Sequence, residues 1–151
     1  MPKISKNIRN FINLPFNEKS LFLEAIFTLA VMRVAILRFS FKYLSRKLHL
    51  ISSNDKCKEL SENELKVAII IGEIIEKSAN HTPWESACLV KAFTAYKMLK
   101  RRGISGCLYI GVAKDETNKT LQAHAWSVVD NNNILTGKSY QNFKILTIYQ
   151  W

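Results

Sequence analysis

Glycine and proline are scarce in this 151-residue chain, at 5 and 3 residues, which excludes a collagen-like or low-complexity polymer. Hydrophobic positions make up 48% and charged positions 23%, so the composition is not that of a disordered chain, and the length suffices for a real core. Cysteine is sparse as well. Cys57, Cys88 and Cys107 are an odd set without C-x-x-C spacing, which predicts no disulfide framework and fits a reducing cytosol. Long apolar runs are also lacking. Glu24 and Arg33 interrupt the stretch Leu21 to Leu37, and the uncharged piece between them, Ala25 to Met32, has only 8 residues. A spanning helix takes about 20 apolar residues and a signal peptide an intact apolar run, so neither is expected. Neither G-x-G-x-x-G nor G-x-x-x-x-G-K-[ST] occurs, and no Cys/His pair has the spacing of a structural metal site. Nothing therefore predicts a nucleotide, another cofactor or a metal.

Acidic residues are in short supply: 12 Asp and Glu face 22 Lys and Arg, for a net charge of +10. The excess is uneven. Residues 1–56 carry 10 basic against 3 acidic residues (+7), and residues 57–151 carry 12 against 9 (+3). The first third thus offers a surface to an acidic partner or an anionic membrane. Aromatic and basic residues form no stacking platform, so nucleic acid is not an expected partner.

Residues 17–48 read as helix, interrupted near Ser40. Ser20, Glu24 and Thr28 form a narrow polar stripe at i, i+4 spacing, and the other faces are apolar. So narrow a stripe predicts burial on most sides, against the rest of the chain or against a partner. Arg33, Arg38, Lys42, Arg46 and Lys47 give this helix a basic end, a pattern also found in helices that lie on a membrane surface, but so wide an apolar face favours packing against the second part of the chain. The polar stretch 50–58 reads as a linker. This divides the chain into an N-terminal helical region, 1–56, and a second domain, 57–151.

The second domain opens on a capping box, Ser61-x-x-Glu64, ahead of an apolar run to Ile75. Thr82-Pro83-Trp84-Glu85 predicts the start of another helix, with Thr82 as N-cap, running to Gly103. Strand patterns follow at Cys107 to Ala113, Ala123 to Val129, Ile134 to Thr136 and Lys144 to Tyr149, with a turn at Asp130 to Asn133. Helices first and an antiparallel sheet second make the class α+β.

Cys88 falls in the second turn of the helix expected from Thr82, where the free N–H groups of a helix start favour a thiolate. His124, on a predicted strand in Ala123-His124-Ala125-Trp126, is the candidate base; by alternation it shares a face with Trp126 and Val128. His49 and His81 read as surface or loop histidines, although His81, seven residues before Cys88, is within reach of the same cleft. The plain alternative for Cys88 is a small core hydrophobe, and for Trp84 and Trp126 it is core packing.

An ordered set of segments carries a resemblance: Pro83-Trp84, Cys88-Leu89, Leu99-Lys100-Arg101-Arg102-Gly103-Ile104, Ile110-Gly111-Val112 and Ala123-His124-Ala125-Trp126. Together with the basic apolar helix from Phe22 onward, they resemble the transglutaminase-like leader peptidases of lasso-peptide biosynthesis. The resemblance implies a transglutaminase-like, papain-like cysteine peptidase core, with a nucleophile helix packed on an antiparallel sheet behind an N-terminal helical region. It implies a cytoplasmic enzyme, peripheral at the membrane at most, that cuts a ribosomally made precursor between leader and core. The implied partners are the precursor's leader, a separate precursor-recognition protein and a macrolactam synthetase.

Position by position, Cys88 matches the nucleophile and His124 the base. The family pattern has an Asp on the next strand, and here this sequence departs. Asp130 is the only acid downstream of His124, and an extended strand would hold the two about 20 Å apart. A hairpin turning at Asn131-Asn132 sets Thr136, Ser139, Tyr140 and Gln141 opposite His124 instead. A neutral acceptor such as Thr136 is then the alternative orienting group. Backbone N–H groups around Cys88, with the Trp84 indole N–H, are the expected oxyanion donors. A non-catalytic scaffold and a Cys/His acyltransferase are the rival readings. Leader binding by the basic helix is a further expectation, which reversal of Arg38, Arg46 and Lys47 to Glu without loss of cleavage would refute.

Overall fold

A computed structural model describes residues 16–53, 56–114, 120–130, 133–137 and 140–151. Among these residues four helices and five strands follow one another: α1 Phe16–Arg38, α2 Phe41–Lys47, β1 Ile51–Ser53, α3 Glu62–Ala79, α4 Cys88–Lys100, β2 Cys107–Lys114, β3 Leu121–Val129, β4 Asn133–Thr136 and β5 Lys144–Gln150. The sheet has the order β1-β5-β2-β3-β4, and every neighbouring pair is antiparallel. This is the α+β class that the order of patterns predicts.

Local chemistry sets most boundaries. Ser40 breaks the first helical stretch and caps α2 by accepting from Tyr43 N at 3.3 Å. The Ser61/Glu64 capping box forms in both directions: Ser61 N donates to Glu64 Oε2 at 2.8 Å, and Glu64 N donates to Ser61 Oγ at 3.3 Å. α4 ends where Gly103 adopts a left-handed φ of 69°, and β2 then runs back along the helix. The expected linker carries structure of its own, because β1 pairs with β5 at the sheet edge. The tip of the turn between β3 and β4, Asn131-Asn132, lies outside the described residues.

The helices cover one face of the sheet. Leu29 of α1, Ile71 and Ile75 of α3, Phe93 and Met98 of α4 and Leu108 of β2 are fully buried in a single core. A smaller cluster of Cys57, Cys107, Trp126 and Val128 fills the opposite face. There the structure corrects a sequence expectation, because Cys57 and Cys107 form a disulfide across 50 residues. The stretch before α3 crosses the outer face of the sheet and carries Cys57 to the first residue of β2. A test on local spacing does not register a pair joined by tertiary folding.

α1 packs against both α3 and α4 through Ala25, Leu29 and Met32. Of the polar stripe only Ser20 is exposed: Thr28 is buried, and Glu24 is bound to Arg102 at 2.7 Å and Arg101 at 3.2 Å. The expected packing against the rest of the chain is met on one side, while on the other Leu23, Phe27 and Leu37 are 58%, 67% and 68% exposed. Within Asn17–Arg38 an 18-residue window has a mean hydropathy of 2.0, so by length and composition alone α1 is able to cross a membrane. An unbroken-run criterion gives the other answer because it stops at Glu24 and Arg33, two charges that hardly lower the mean of an 18-residue window.

The Arg102 hydrogen bond, opposed by partial burial and helped by the Arg102 and Arg101 charges, holds the Glu24 carboxyl below its ordinary value of 4.5. A carboxyl lowered on folding stabilises the fold above its unfolded value and loses that contribution as pH falls through the folded value. Glu24→Gln should therefore destabilise by about 1 kcal/mol at pH 7. The difference from wild type should shrink below the ordinary carboxylate range. Urea melts of both proteins at several pH values check this, and a difference that stays constant down to strongly acidic pH contradicts it.

Candidate active site

Cys88 is the first residue of α4, not a second-turn residue, because the helix begins six residues after Thr82. The Thr82 hydroxyl lies 2.9 Å from Ala79 O, 3.0 Å from Trp84 O and 2.9 Å from Ser86 Oγ. It thus closes the end of α3 and folds residues 82–86 into a turn instead of capping a helix. Ala87 takes the N-cap position with extended backbone and no side-chain cap. The correction sets the thiol at the helix terminus itself, beside the N–H groups that have no intrahelical acceptor. Cys88 is half-buried, and it is the free cysteine that the disulfide leaves. Alkylation of the unreduced, folded protein should therefore modify one thiol, Cys88, and add two more only after reduction and unfolding; peptide mapping reads the count.

Four residues upstream, the indole Nε1 of Trp84 is buried and has no hydrogen-bond partner among the described residues. Buried donors are almost always paired, so an unpaired one this close to a candidate nucleophile is notable.

His124 lies on β3 on the face of Trp126, as alternation predicts. Its ring stacks on Trp126 at 5.8 Å and rests against Phe143 at 4.9 Å. The neighbouring Ala125 faces the helices and joins their core. The imidazole therefore stands on the other side of β3 from the face that α4 covers, and no hydrogen bond joins it to Cys88. Its hydrogen-bond partner is the carbonyl of Gly137, at 3.1 Å from Nε2. A carbonyl can only accept, so Nε2 carries the proton, and in the neutral ring Nδ1 holds the free lone pair.

The same glycine ties His124 back to the helices. β4 stops pairing with β3 at Thr136, and Gly137 turns over the edge of β3 with φ of 75°. Its N–H donates to Glu76 Oε1 of α3 at 3.2 Å, and Glu76 Oε2 holds Lys91 Nζ at 2.8 Å. Lys91 stands one turn after Cys88 on α4. A chain of contacts, Lys91 to Glu76 to Gly137 to His124, thus joins the helix that begins at Cys88 to the strand that carries His124.

Neither expected third member reaches the imidazole. Asp130 sits at the far end of β3 with φ of 51°, and its Oδ1 accepts from Leu60 N at 3.1 Å, fixing the segment that carries Cys57. Thr136 is buried with its hydroxyl 2.8 Å from Ser127 Oγ, inside the sheet and away from His124. Ser139 lies outside the described residues. The imidazole's hydrogen-bond partner is instead a backbone carbonyl, and the sequence signal available for it is a glycine directly after a short strand. Of the other histidines, His81 donates from Nδ1 to Lys77 O at 2.7 Å at the end of α3 and touches Phe22 edge-on. His49 is exposed beyond α2.

In comparison with known families, the model of one core domain, described as the transglutaminase-like superfamily, matches residues 31–147. No curated protein and no solved structure matches. The matched stretch contains α2, α3, α4, most of the sheet and all the residues of the site described above.

Proposed function

From the premise that this chain belongs to the transglutaminase-like superfamily, whose members are generally cysteine-based enzymes, we propose that it is a cysteine peptidase that removes the leader from a ribosomally made lasso-peptide precursor. The observation that carries this reading is the free thiol of Cys88 at the terminus of α4, joined through Lys91, Glu76 and Gly137 to an imidazole of fixed tautomer. In the resting enzyme thiol and imidazole do not touch. The peptidase reading requires substrate binding to bring the imidazole from the outer face of β3 to the thiol, a larger movement than the tightening that apo sites commonly show.

The Cys88 thiol then gives its proton to Nδ1 of His124, and the thiolate attacks the scissile carbonyl carbon. Unpaired N–H groups of the first turn of α4 hold the oxyanion, and the Trp84 indole N–H, unpaired in the resting state, supplies a further donor. The imidazolium protonates the leaving amine as the peptide C–N bond breaks, leaving a thioester on Cys88. Water, deprotonated by His124, hydrolyses the thioester and restores the thiol. A separate recognition protein presents the leader, and an ATP-using macrolactam synthetase takes the freed core.

The gap between thiol and imidazole favours a second reading, a scaffold that docks precursor without cutting it. Mass spectrometry of a candidate precursor, incubated with the recognition protein and either wild type or Cys88→Ala, separates the two. Leader and core fragments with wild type alone support the peptidase. Bound but uncut precursor with both proteins supports the scaffold, and a product heavier by an amine supports acyl transfer. Trp84→Phe, which keeps the ring and loses the donor, should reduce kcat by about 10- to 100-fold while leaving the melting temperature near wild type.

A further inference from the structure

We propose that the exposed side of α1, with the basic cleft at its end, docks this protein onto an anionic lipid bilayer as a peripheral, interfacial contact. This stands apart from the peptidase reading and does not depend on it.

α1 has two apolar faces. One is filled by the core through Ala25, Leu29 and Met32. On the opposite face Leu23, Phe27, Val31, Val34 and Leu37 follow at spacings of three and four residues and are 42–68% exposed. They make one continuous stripe along the helix. Beyond its end Phe39 stacks on Tyr43 at 4.9 Å, and both are about half exposed. Solvation explains a scattered surface leucine but not a stripe five residues long.

Charge decides the occupant. From residue 25 to residue 54 the chain contains no Asp or Glu, yet it carries Arg33, Arg38, Lys42, Arg46 and Lys47. Of the two carboxylates of α1, Glu18 lies in the first turn, before the stripe, and Glu24 is already held by Arg101 and Arg102. Directly after the stripe an open cleft is lined by Ser40, Lys42, Tyr43, Arg46, Lys47 and His49. An apolar strip ending in a basic, hydroxyl-bearing cleft matches the layering of an anionic leaflet, with acyl chains beneath phosphate headgroups. A second copy of this basic face would meet it with like charge.

The contact is interfacial and not spanning. For α1 to cross the bilayer, Ala25, Leu29 and Met32 would have to leave the core they share with α3 and α4, and Glu24 would have to leave its arginines. Lying flat keeps both.

The test is flotation of the full chain with vesicles of pure phosphatidylcholine, or of phosphatidylcholine with one third phosphatidylglycerol, at about 0.1 M salt. Binding should be confined to the anionic vesicles and released by high salt or by carbonate at high pH. Lys42→Ala with Arg46→Ala should weaken it by about 25-fold, near fivefold for each basic residue at the surface. Phe27→Ser with Val34→Ser should abolish it without lowering the melting temperature, since both residues are already in solvent. Equal binding to both vesicles, or none, overturns the proposal. So does retention after carbonate, which marks a spanning helix. Binding that ignores the Phe27 and Val34 changes marks a site for soluble polyanions, and a concentration-dependent dimer abolished by Phe27→Ser marks a second copy as the occupant. Loss of precursor cleavage in the Lys42/Arg46 variant without vesicles assigns the face to an acidic leader. Each of these three outcomes also overturns it.

Discussion

Reducing the Cys57–Cys107 bridge should lower the free energy of unfolding by about 4 kcal/mol, the loop-closure entropy expected for a ring of some 50 residues. For a chain of this length that corresponds to a fall in melting temperature of about 8–16 °C. The bridge fixes more than the unfolded chain. Cys57 lies in the segment that crosses the outer face of the sheet, and Leu60 N donates to Asp130 just beyond it. Cys107 opens β2 and is paired in register with Val128 of β3 and Gln150 of β5. Cutting the bond releases the strap over Trp126, whose ring supports His124. Thermal melts with and without dithiothreitol measure the effect in a Cys88→Ala background, where the bridge is the only thiol chemistry left. A melting temperature that moves by less than about 2 °C after mass spectrometry has shown complete reduction would refute the expectation. The bridge also removes the cysteine argument for a reducing compartment, because both sulfurs are buried and paired.

What was legible in the sequence was local. The Ser61/Glu64 box starts α3 because both of its hydrogen bonds lie within four residues. The four later strands follow period-2 patterns, and alternation alone gave His124 its neighbours Trp126 and Val128. What was illegible depends on partners distant in the chain. The Thr82 signal was strong locally, yet its hydroxyl is engaged by Ala79 O and Ser86, and the helix starts at Cys88. β1 is three residues, Ile-Ser-Ser, made a strand only by its pairing with β5. The orienting group for His124 is a carbonyl, which every residue possesses, so no search over side chains finds it. The narrow polar stripe of α1 predicts burial on most sides without saying by what, because sequence shows that a face is apolar without showing whether the chain itself covers it.

Gly137→Ala should suppress the proposed peptidase activity by about 10- to 100-fold, the range for losing a group that orients a reacting side chain. A side chain at φ of 75° costs about 1–2 kcal/mol. The added Cβ would also stand 2.7 Å from Ala125 O and 2.9 Å from Trp126 Cβ, inside contact distance on the rigid edge of β3. It would approach His124 Nε2 to 3.2 Å. The turn must shift away from β3, and that shift breaks both of its functional bonds, the carbonyl to His124 and the N–H to Glu76. Because the same change lowers the melting temperature, a second variant separates positioning from folding. Glu76→Gln keeps the shape of a side chain that is 29% exposed while removing the charge that holds Lys91. It should leave the melting temperature within a few degrees, reduce kcat by about 10-fold and leave KM unchanged, because no contact to substrate is lost. If KM rises and kcat holds, Glu76 binds substrate and does not position the histidine. If Gly137→Ala folds and cuts at the wild-type rate, the carbonyl has no part in orienting His124, and the superfamily's missing acid has no substitute in this chain.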